Sequence, residues 1–157
     1  MENNNVKQLS ELEIIAETIE YYKNNPRGIK QNTQSVCVYY DVETENKCAI
    51  GRCLIKPEDF KDWYLNIEAI METLIPEIDN EKLVNEKLNS ILKEQYKNHN
   101  LHFWKNLQLL HDTPQNWLCN EKGCTLTKHG KENVKQMIIA LSISITTEEI
   151  NTFISKL

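Results

Sequence analysis

Residues 46 to 60, with the sequence NKCAIGRCLIKPEDF, carry side chains that could do chemistry. Cys48 has two cations nearby, Lys47 and Arg52, in a run that otherwise has the character of a strand. A cation near a thiol lowers the pKa of that thiol, and the resulting thiolate is a strong nucleophile. The same cations also suit an anionic ligand. The stretch therefore predicts either a thiol-dependent active site or a binding site.

The thiol-enzyme hypothesis needs a general base, and the segment LQLLHDTPQNW, residues 107 to 117, supplies one. In this hypothesis Cys48 attacks the substrate and His111 takes the thiol proton, while Asp112 or Gln108 orients the imidazole or stabilises an oxyanion. Adjacent residues of a helix point in different directions, which favours Asp112 as a cap of the next turn instead. A cysteine on a strand is most often a small buried hydrophobe. The thiol enzyme is therefore an alternative, and we expect a protein that is not an enzyme.

A non-enzymatic binding site accounts better for the polar residues of this strand. A strand that only packs gains nothing from a central glycine, Gly51, and two flanking cations. A bulge at Gly51 would change the parity of the strand and bring Lys47 and Arg52 to one face. We expect one pocket for a small anionic, nucleotide-like ligand, lined by Lys47, Cys48, Arg52, Gln108 and His111.

A second alternative is a zinc-binding interaction module. The segment CNEKGCTLTKH sets Cys119, Cys124 and His129 at intervals of five residues, and His111 lies upstream as a fourth ligand. Two sulfurs and two nitrogens suit tetrahedral zinc. Structural zinc sites favour closer cysteines, however, and a chain of this size does not need a metal to fold. We therefore expect no metal and no other cofactor.

Helical periodicity covers most of the chain. The segment SELEIIAETIEYYKNNP begins with Ser10 and Glu13 in a capping-box pattern and ends before Pro26. The tail TTEEINTFISKL repeats the pattern with Thr146 and Glu149. Further helices are predicted at residues 66–74, 80–97 with Asp79 as the cap, 101–111, a short one after Pro114, and 131–141.

Two neighbouring segments have the alternation of β-strands. VCVYYDV, residues 36 to 42, and KCAIGRCLI, residues 47 to 55, flank the turn-rich segment ETEN and predict a hairpin. LSISI, residues 141 to 145, also alternates and would supply a third strand. The sequence therefore predicts one α+β domain over residues 1–157, mostly α-helical with a short antiparallel β-hairpin or small sheet. A hairpin with open edges favours a homodimer.

Composition limits the partners and the compartment. The net charge of −5 and the pI near 5.4 give no footprint for a phosphate backbone, so we expect no nucleic acid partner. No apolar run approaches the roughly 20 residues of a membrane span. Five cysteines and a polar N-terminus without signal-peptide character predict a cytoplasmic protein with reduced thiols.

The chain resembles a family of small uncharacterised phage and prophage proteins. Members carry a similar hairpin, with cysteine, tyrosine and then KCAIG, and a downstream helix end of the form Leu-Gln-x-x-His-Asp. The resemblance spans residues 36 to 117, and the matching positions are Cys37, Tyr39, Lys47, Cys48, Gly51, Gln108, His111, Asp112 and Trp117. It implies a phage accessory protein in the host cell cytoplasm. Such a protein would sequester a small ligand or inhibit a host defence protein.

Overall fold

The computed structural model describes residues 6–29, 38–61, 63–75 and 80–157. In these ranges the chain forms six α-helices, four short 3-10 helices and one two-stranded antiparallel sheet, so the α+β, mostly helical prediction is confirmed. The α-helices are α1 (Glu11–Lys23), α2 (Ile67–Leu74), α3 (Glu81–Ile91), α4 (Leu101–Asp112), α5 (Lys128–Ala140) and α6 (Thr147–Lys156). The 3-10 helices are Gly51–Cys53, Pro57–Phe60, Glu94–Tyr96 and Pro114–Asn116.

Helices α1 and α6 start at the two predicted capping boxes. Ser10 and Glu13 form a complete capping box at the start of α1, and Thr146 and Glu149 form another at the start of α6. Asp79, the predicted cap of α3, lies outside the described residues. The side chain of Asn80 caps that helix by accepting from the N–H of Leu83.

The predicted hairpin at residues 36–55 is wrong over its described part. Residues 38–55 contain no β-strand, only an isolated bridge between Leu54 and Leu92. The backbone does fold back on itself, with the Cys48 N–H donating to the Val38 carbonyl, and it then turns into the 3-10 helix Gly51–Cys53.

Gly51 explains why this segment turns instead of extending. A Cβ atom at this position would lie 1.8 Å from the carbonyl oxygen of Tyr39. Only glycine allows two backbone segments to approach so closely. The close approach at Gly51 therefore belongs to a turn, and the predicted bulge in a strand is wrong.

The sheet is formed by β1 (Trp117–Cys119) and β2 (Cys124–Leu126), which are antiparallel, with Cys119 directly opposite Cys124. The connecting loop is closed by Asn120, whose side-chain oxygen accepts from the N–H groups of Lys122 and Gly123. The segment LSISI is not a third strand. It turns between α5 and α6, with Ser142 at a positive φ of 53°.

A single hydrophobic cluster contains residues from all six helices. Helix α4 is central to it: Phe103, Trp104 and Leu107 on its inner face are completely buried, and α2, α3 and α5 all contact it. The opposite face of α4 stays accessible and carries Leu109, which is 65% exposed. Among the helices of the described residues, none is long and apolar enough to cross a membrane.

Candidate functional site

The side-chain hydrogen bonds of Arg52 are with α1 and with Tyr96. Its side chain is 6% exposed, and its guanidinium donates to Glu17 at 2.8 Å and to Thr18 at 2.5 Å, both on α1. It also donates to the hydroxyl of Tyr96 at 3.2 Å. A guanidinium with these partners ties the 3-10 helix Gly51–Cys53 to α1. Its role in these contacts is structural, not ligand binding.

Cys48 and Cys53 are free thiols with no exposed surface. Cys48 Sγ accepts from the Gly51 N–H at 3.3 Å, and among the described residues no hydrogen bond joins it to His111. Burial raises the pKa of Cys53 to about 12, so this thiol is neutral at physiological pH. Neither thiol has the solvent exposure of a reactive cysteine.

His111 is completely buried near the C-terminal end of α4. Its Nδ1 lies 2.7 Å from Oδ1 of Asp112, and its ring lies 5.1 Å from the ring of Tyr22. The Tyr22 hydroxyl donates to the Lys47 carbonyl at 2.9 Å, so Tyr22 connects His111 with the backbone before Cys48. Burial lowers the pKa of His111, although the carboxylate of Asp112 opposes this effect. The imidazole is therefore neutral at pH 7, with Nδ1–H donating to Asp112.

The four candidate zinc ligands do not form a metal site. Cys119 and Cys124 are joined in a disulfide, so the expectation of reduced thiols is wrong for this pair. His129 interacts with Asn133, while His111 interacts with Asp112. In the part of the chain that the structure describes, no group of three or more His, Cys, Asp or Glu side chains is arranged to hold a metal ion.

Gln108 is 3% exposed and joins three elements. Its Oε1 accepts from the N–H of Ile67 at 2.7 Å and from the hydroxyl of Tyr39 at 3.4 Å. The first of these bonds satisfies an N–H of the first turn of α2, which no intrahelical carbonyl can reach. Because both partners donate to Oε1, the orientation of the amide is fixed. Its Nε2 is buried without an acceptor.

Gln108 lines a cavity of about 330 Å³ on the accessible face of α4. This volume is at the lower end of the range for small-ligand pockets, roughly 300–1,000 Å³. One side is formed by Asn66, the residue that caps α2. The other lining residues are His102, Lys105, Asn106, Leu109 and Asp112, which with Gln108 come from successive turns of α4. We call this space the α4 cavity.

The rim of the α4 cavity carries a positively charged side chain, Lys105, and a negatively charged one, Asp112. Lys105 Nζ pairs with Glu68 at 2.8 Å, and both side chains are about 40% exposed, which leaves the ammonium accessible. His102 is exposed, and Asp112 is 21% exposed while it holds His111. The rim therefore offers an ammonium, an imidazole and a carboxylate, and the amide of Gln108 lies behind them.

A second cavity of about 280 Å³ adjoins the first across Asn106 and Leu109. It is uncharged and lies between α4 and α5, with Asn116, Asn133, Gln136 and Met137 among its lining residues. The exposed Leu109 side chain lies between the two cavities. Together they form a groove along α4.

Sequence reasoning identified Gln108 and His111 but missed Asn66, His102, Lys105 and Asn106. The available signal was the polar face of α4, on which residues 102, 105, 106, 109 and 112 recur at helical spacing. Polar residues on an outer helix face are usually no more than solvated. These residues line a cavity because Asn66, from the start of α2, lies beside them. Lys47 is not among the lining residues of the α4 cavity, and its Nζ lies 5.3 Å from the centre of the Tyr40 ring.

Comparisons with known proteins returned no match: no family model, no curated protein and no solved structure is similar to this chain.

Proposed function

We propose that this chain is a phage-type accessory protein that binds and sequesters a small anionic, nucleotide-like ligand in the α4 cavity. The observation that carries the proposal is the amide of Gln108. Its Nε2 is a buried donor without an acceptor, whereas nearly all buried polar groups in proteins have a partner. Gln108 lines the α4 cavity, and an acceptor on a ligand would satisfy this nitrogen once the side chains that cover it move aside.

The rim of the α4 cavity supports an anionic ligand. Lys105 and His102 lie on adjacent turns of α4, and each can donate to a phosphate. The side chains of Asn66 and Asn106 add neutral donors and acceptors, which suit a sugar or a base. Glu68 competes for Lys105, but an exposed ion pair of this kind is worth only about 1 kcal/mol or less. A doubly charged phosphate can therefore displace it.

The two alternative functions have less support. A thiol enzyme needs Cys48 within reach of a base, and the contacts of Cys48 are with Gly51. A zinc module needs the sulfurs of Cys119 and Cys124, which are bonded to each other. Sequestration requires neither. It needs only a preformed cavity with a few oriented polar groups.

Isothermal titration of the purified protein with AMP, GMP, CMP, UMP and inorganic phosphate tests the proposal. We expect at least one nucleotide to bind, and Lys105→Ala to weaken that binding about tenfold, as for loss of one charge-assisted hydrogen bond. The matched control is Lys82→Ala, the same change at a lysine whose side chain is 84% exposed on α3. It should leave the affinity unchanged.

Two outcomes contradict the proposal. If none of the four nucleotides binds, or if Lys105→Ala and Lys82→Ala behave alike, the α4 cavity is not an anion site. Mass spectrometry of the ligand recovered after denaturation separates sequestration from turnover. Intact nucleotide supports a binding protein, and a converted nucleotide favours an enzyme.

A further inference from the structure

We infer that the α4 cavity selects a guanine base, read by Gln108 and Asp112. This inference rests on the proposed function and names the base of its ligand. Residues 108 and 112 are one helical turn apart and line the same cavity. Side chains at this spacing lie on one face of a helix, with Cβ atoms roughly 6 Å apart. One side chain can therefore donate and the other accept along the edge of a single planar ring.

The donor of the pair is fixed by the fold. Oε1 of Gln108 accepts from Ile67 and Tyr39, and because a backbone N–H can only donate, the amide cannot turn over without losing the bond to Ile67. The part of the amide that has no partner is therefore its NH₂ group and not its carbonyl oxygen. Only an acceptor on the ligand is complementary to it.

The acceptor of the pair is also oriented. Oδ1 of Asp112 lies 2.7 Å from Nδ1 of the buried His111, which holds the carboxylate in place. A carboxylate has two oxygens with about four lone-pair sites, so it can still accept from a ligand after this bond. Asp112 is 21% exposed, whereas His111 is fully buried, which leaves the carboxylate as the part of the pair that a ligand can reach.

Two acceptor oxygens beside one donor are complementary to a ligand edge with two donors beside one acceptor. Guanine has this edge: N1–H and the 2-amino group would donate to Asp112, and O6 would accept from Gln108. On the corresponding edge, adenine and cytosine offer one donor and one acceptor, so one oxygen of the Asp112 carboxylate receives no hydrogen bond from the base. Uracil has a carbonyl on each side of its N–H, and one of these would face the carboxylate.

The base enters from the outer face of α4. Nε2 of Gln108 has almost no exposed surface, so rim side chains must move aside before a ligand reaches it. Two of the lining residues on α4, His102 and Leu109, are exposed. Exposed side chains change rotamer on the picosecond to nanosecond scale, so this movement is not an obstacle to binding.

Titration of the full chain with GMP, IMP, XMP and AMP tests the inference. IMP lacks the 2-amino group, and we expect it to bind about tenfold more weakly than GMP because one hydrogen bond to a charged acceptor is lost. AMP should bind more weakly still. In Asp112→Asn the amide oxygen can keep the bond to His111 while its NH₂ group faces the cavity. This variant should lose affinity for GMP and gain affinity for XMP, whose O2 is an acceptor.

The change of preference distinguishes recognition from damage to the fold, because a misfolded variant loses all four ligands together. If nucleotides bind and Lys105→Ala weakens them, but Asp112→Asn leaves the ratio of GMP to XMP affinity unchanged, the guanine inference is wrong and the proposed function stands. Equal binding of GMP and AMP to the wild type also overturns the inference. If no nucleotide binds, both fail.

Discussion

His111 Nδ1 and Asp112 Oδ1 lie 2.7 Å apart although the two residues are neighbours in the sequence. Adjacent residues within a helix point in different directions, which is why the sequence favoured Asp112 as a cap. Asp112 is the last residue of α4, however, and the backbone becomes extended at Thr113. At this position its side chain can turn back towards His111. The result is a buried neutral imidazole held by a carboxylate.

The buried His111 makes stability depend on pH. Burial holds its folded-state pKa below the ordinary value of 6.5, so at mildly acidic pH the unfolded state binds a proton that the folded state does not. The free energy of unfolding should therefore fall as the pH drops below about 6.5, with a slope of at most about 1.4 kcal/mol per pH unit for one proton. Urea denaturation between pH 5 and 8 measures this slope.

The variant His111→Asn is the control for this prediction. Asn places an N–H group near the position of Nδ1 but does not titrate. The variant will be less stable overall because it leaves space in the core. Its stability should nevertheless depend less on pH than that of the wild type. Parallel curves for the two proteins would show that His111 is not the group responsible.

Arg52 should matter for stability and not for ligand binding. We expect Arg52→Met to lower the free energy of unfolding by about 2–3 kcal/mol, because Glu17 and Thr18 lose the hydrogen bonds from the guanidinium, although Glu17 still accepts from Tyr96 and Thr18 still donates to Ile14. This is less than for a fully buried pair, since the side chain of Glu17 is 41% exposed. For the same reason Glu17→Gln should cost less than Arg52→Met. Chemical denaturation of both variants gives the comparison.

Titration of folded Arg52→Met with the nucleotide that binds the wild type completes this test. Its affinity should be unchanged, because the contacts of Arg52 lie on α1 and at Tyr96, whereas the cavity lies on α4. A large loss of affinity in a stable Arg52→Met protein would return Arg52 to the binding site that the sequence predicted.

The outcome at Arg52 illustrates what local sequence can and cannot predict. Helix starts at Ser10 and Thr146 were predicted because a capping box is complete within four residues. The turn at Gly51 was not, since it depends on contact with Tyr39, twelve residues earlier in the chain. KCAIGRCLI was predicted as a strand because its apolar residues alternate. A short apolar pattern of this kind does not by itself distinguish a strand from another buried conformation.

The candidate site was predictable only in part, for a similar reason. Gln108 and His111 stand out as polar residues within the largely apolar run LQLLH, and both are buried with specific partners. The tertiary packing decides which part of the chain supplies those partners, and local sequence does not specify that packing. The sequence paired them with residues 47–52, whereas the cavity beside Gln108 is completed by Asn66 at the start of α2.

The thiols of Cys48 and Cys53 should be unreactive in the native protein. Both have no exposed surface, and the pKa of Cys53 is raised to about 12 by burial, so its thiolate fraction is negligible near pH 7.5. We expect iodoacetamide to leave both cysteines unmodified in buffer and to modify both in concentrated urea, as read by peptide mass mapping. Rapid modification of Cys48 in the native state would revive the thiol-enzyme hypothesis.

The disulfide between Cys119 and Cys124 should contribute modestly to stability. It closes a loop with a sequence separation of only five residues, and the loop-entropy relation gives about 2 kcal/mol for so short a loop. The double variant Cys119→Ser, Cys124→Ser should lose about this much in denaturation experiments. The wild type in reductant should lose the same amount, and the variant should not respond to reductant.

Elemental analysis of the reduced wild type should find sub-stoichiometric zinc, because His111 is bonded to Asp112 inside the core. One zinc per chain in the reduced protein, absent from the double variant, would instead assign these cysteines to a metal site.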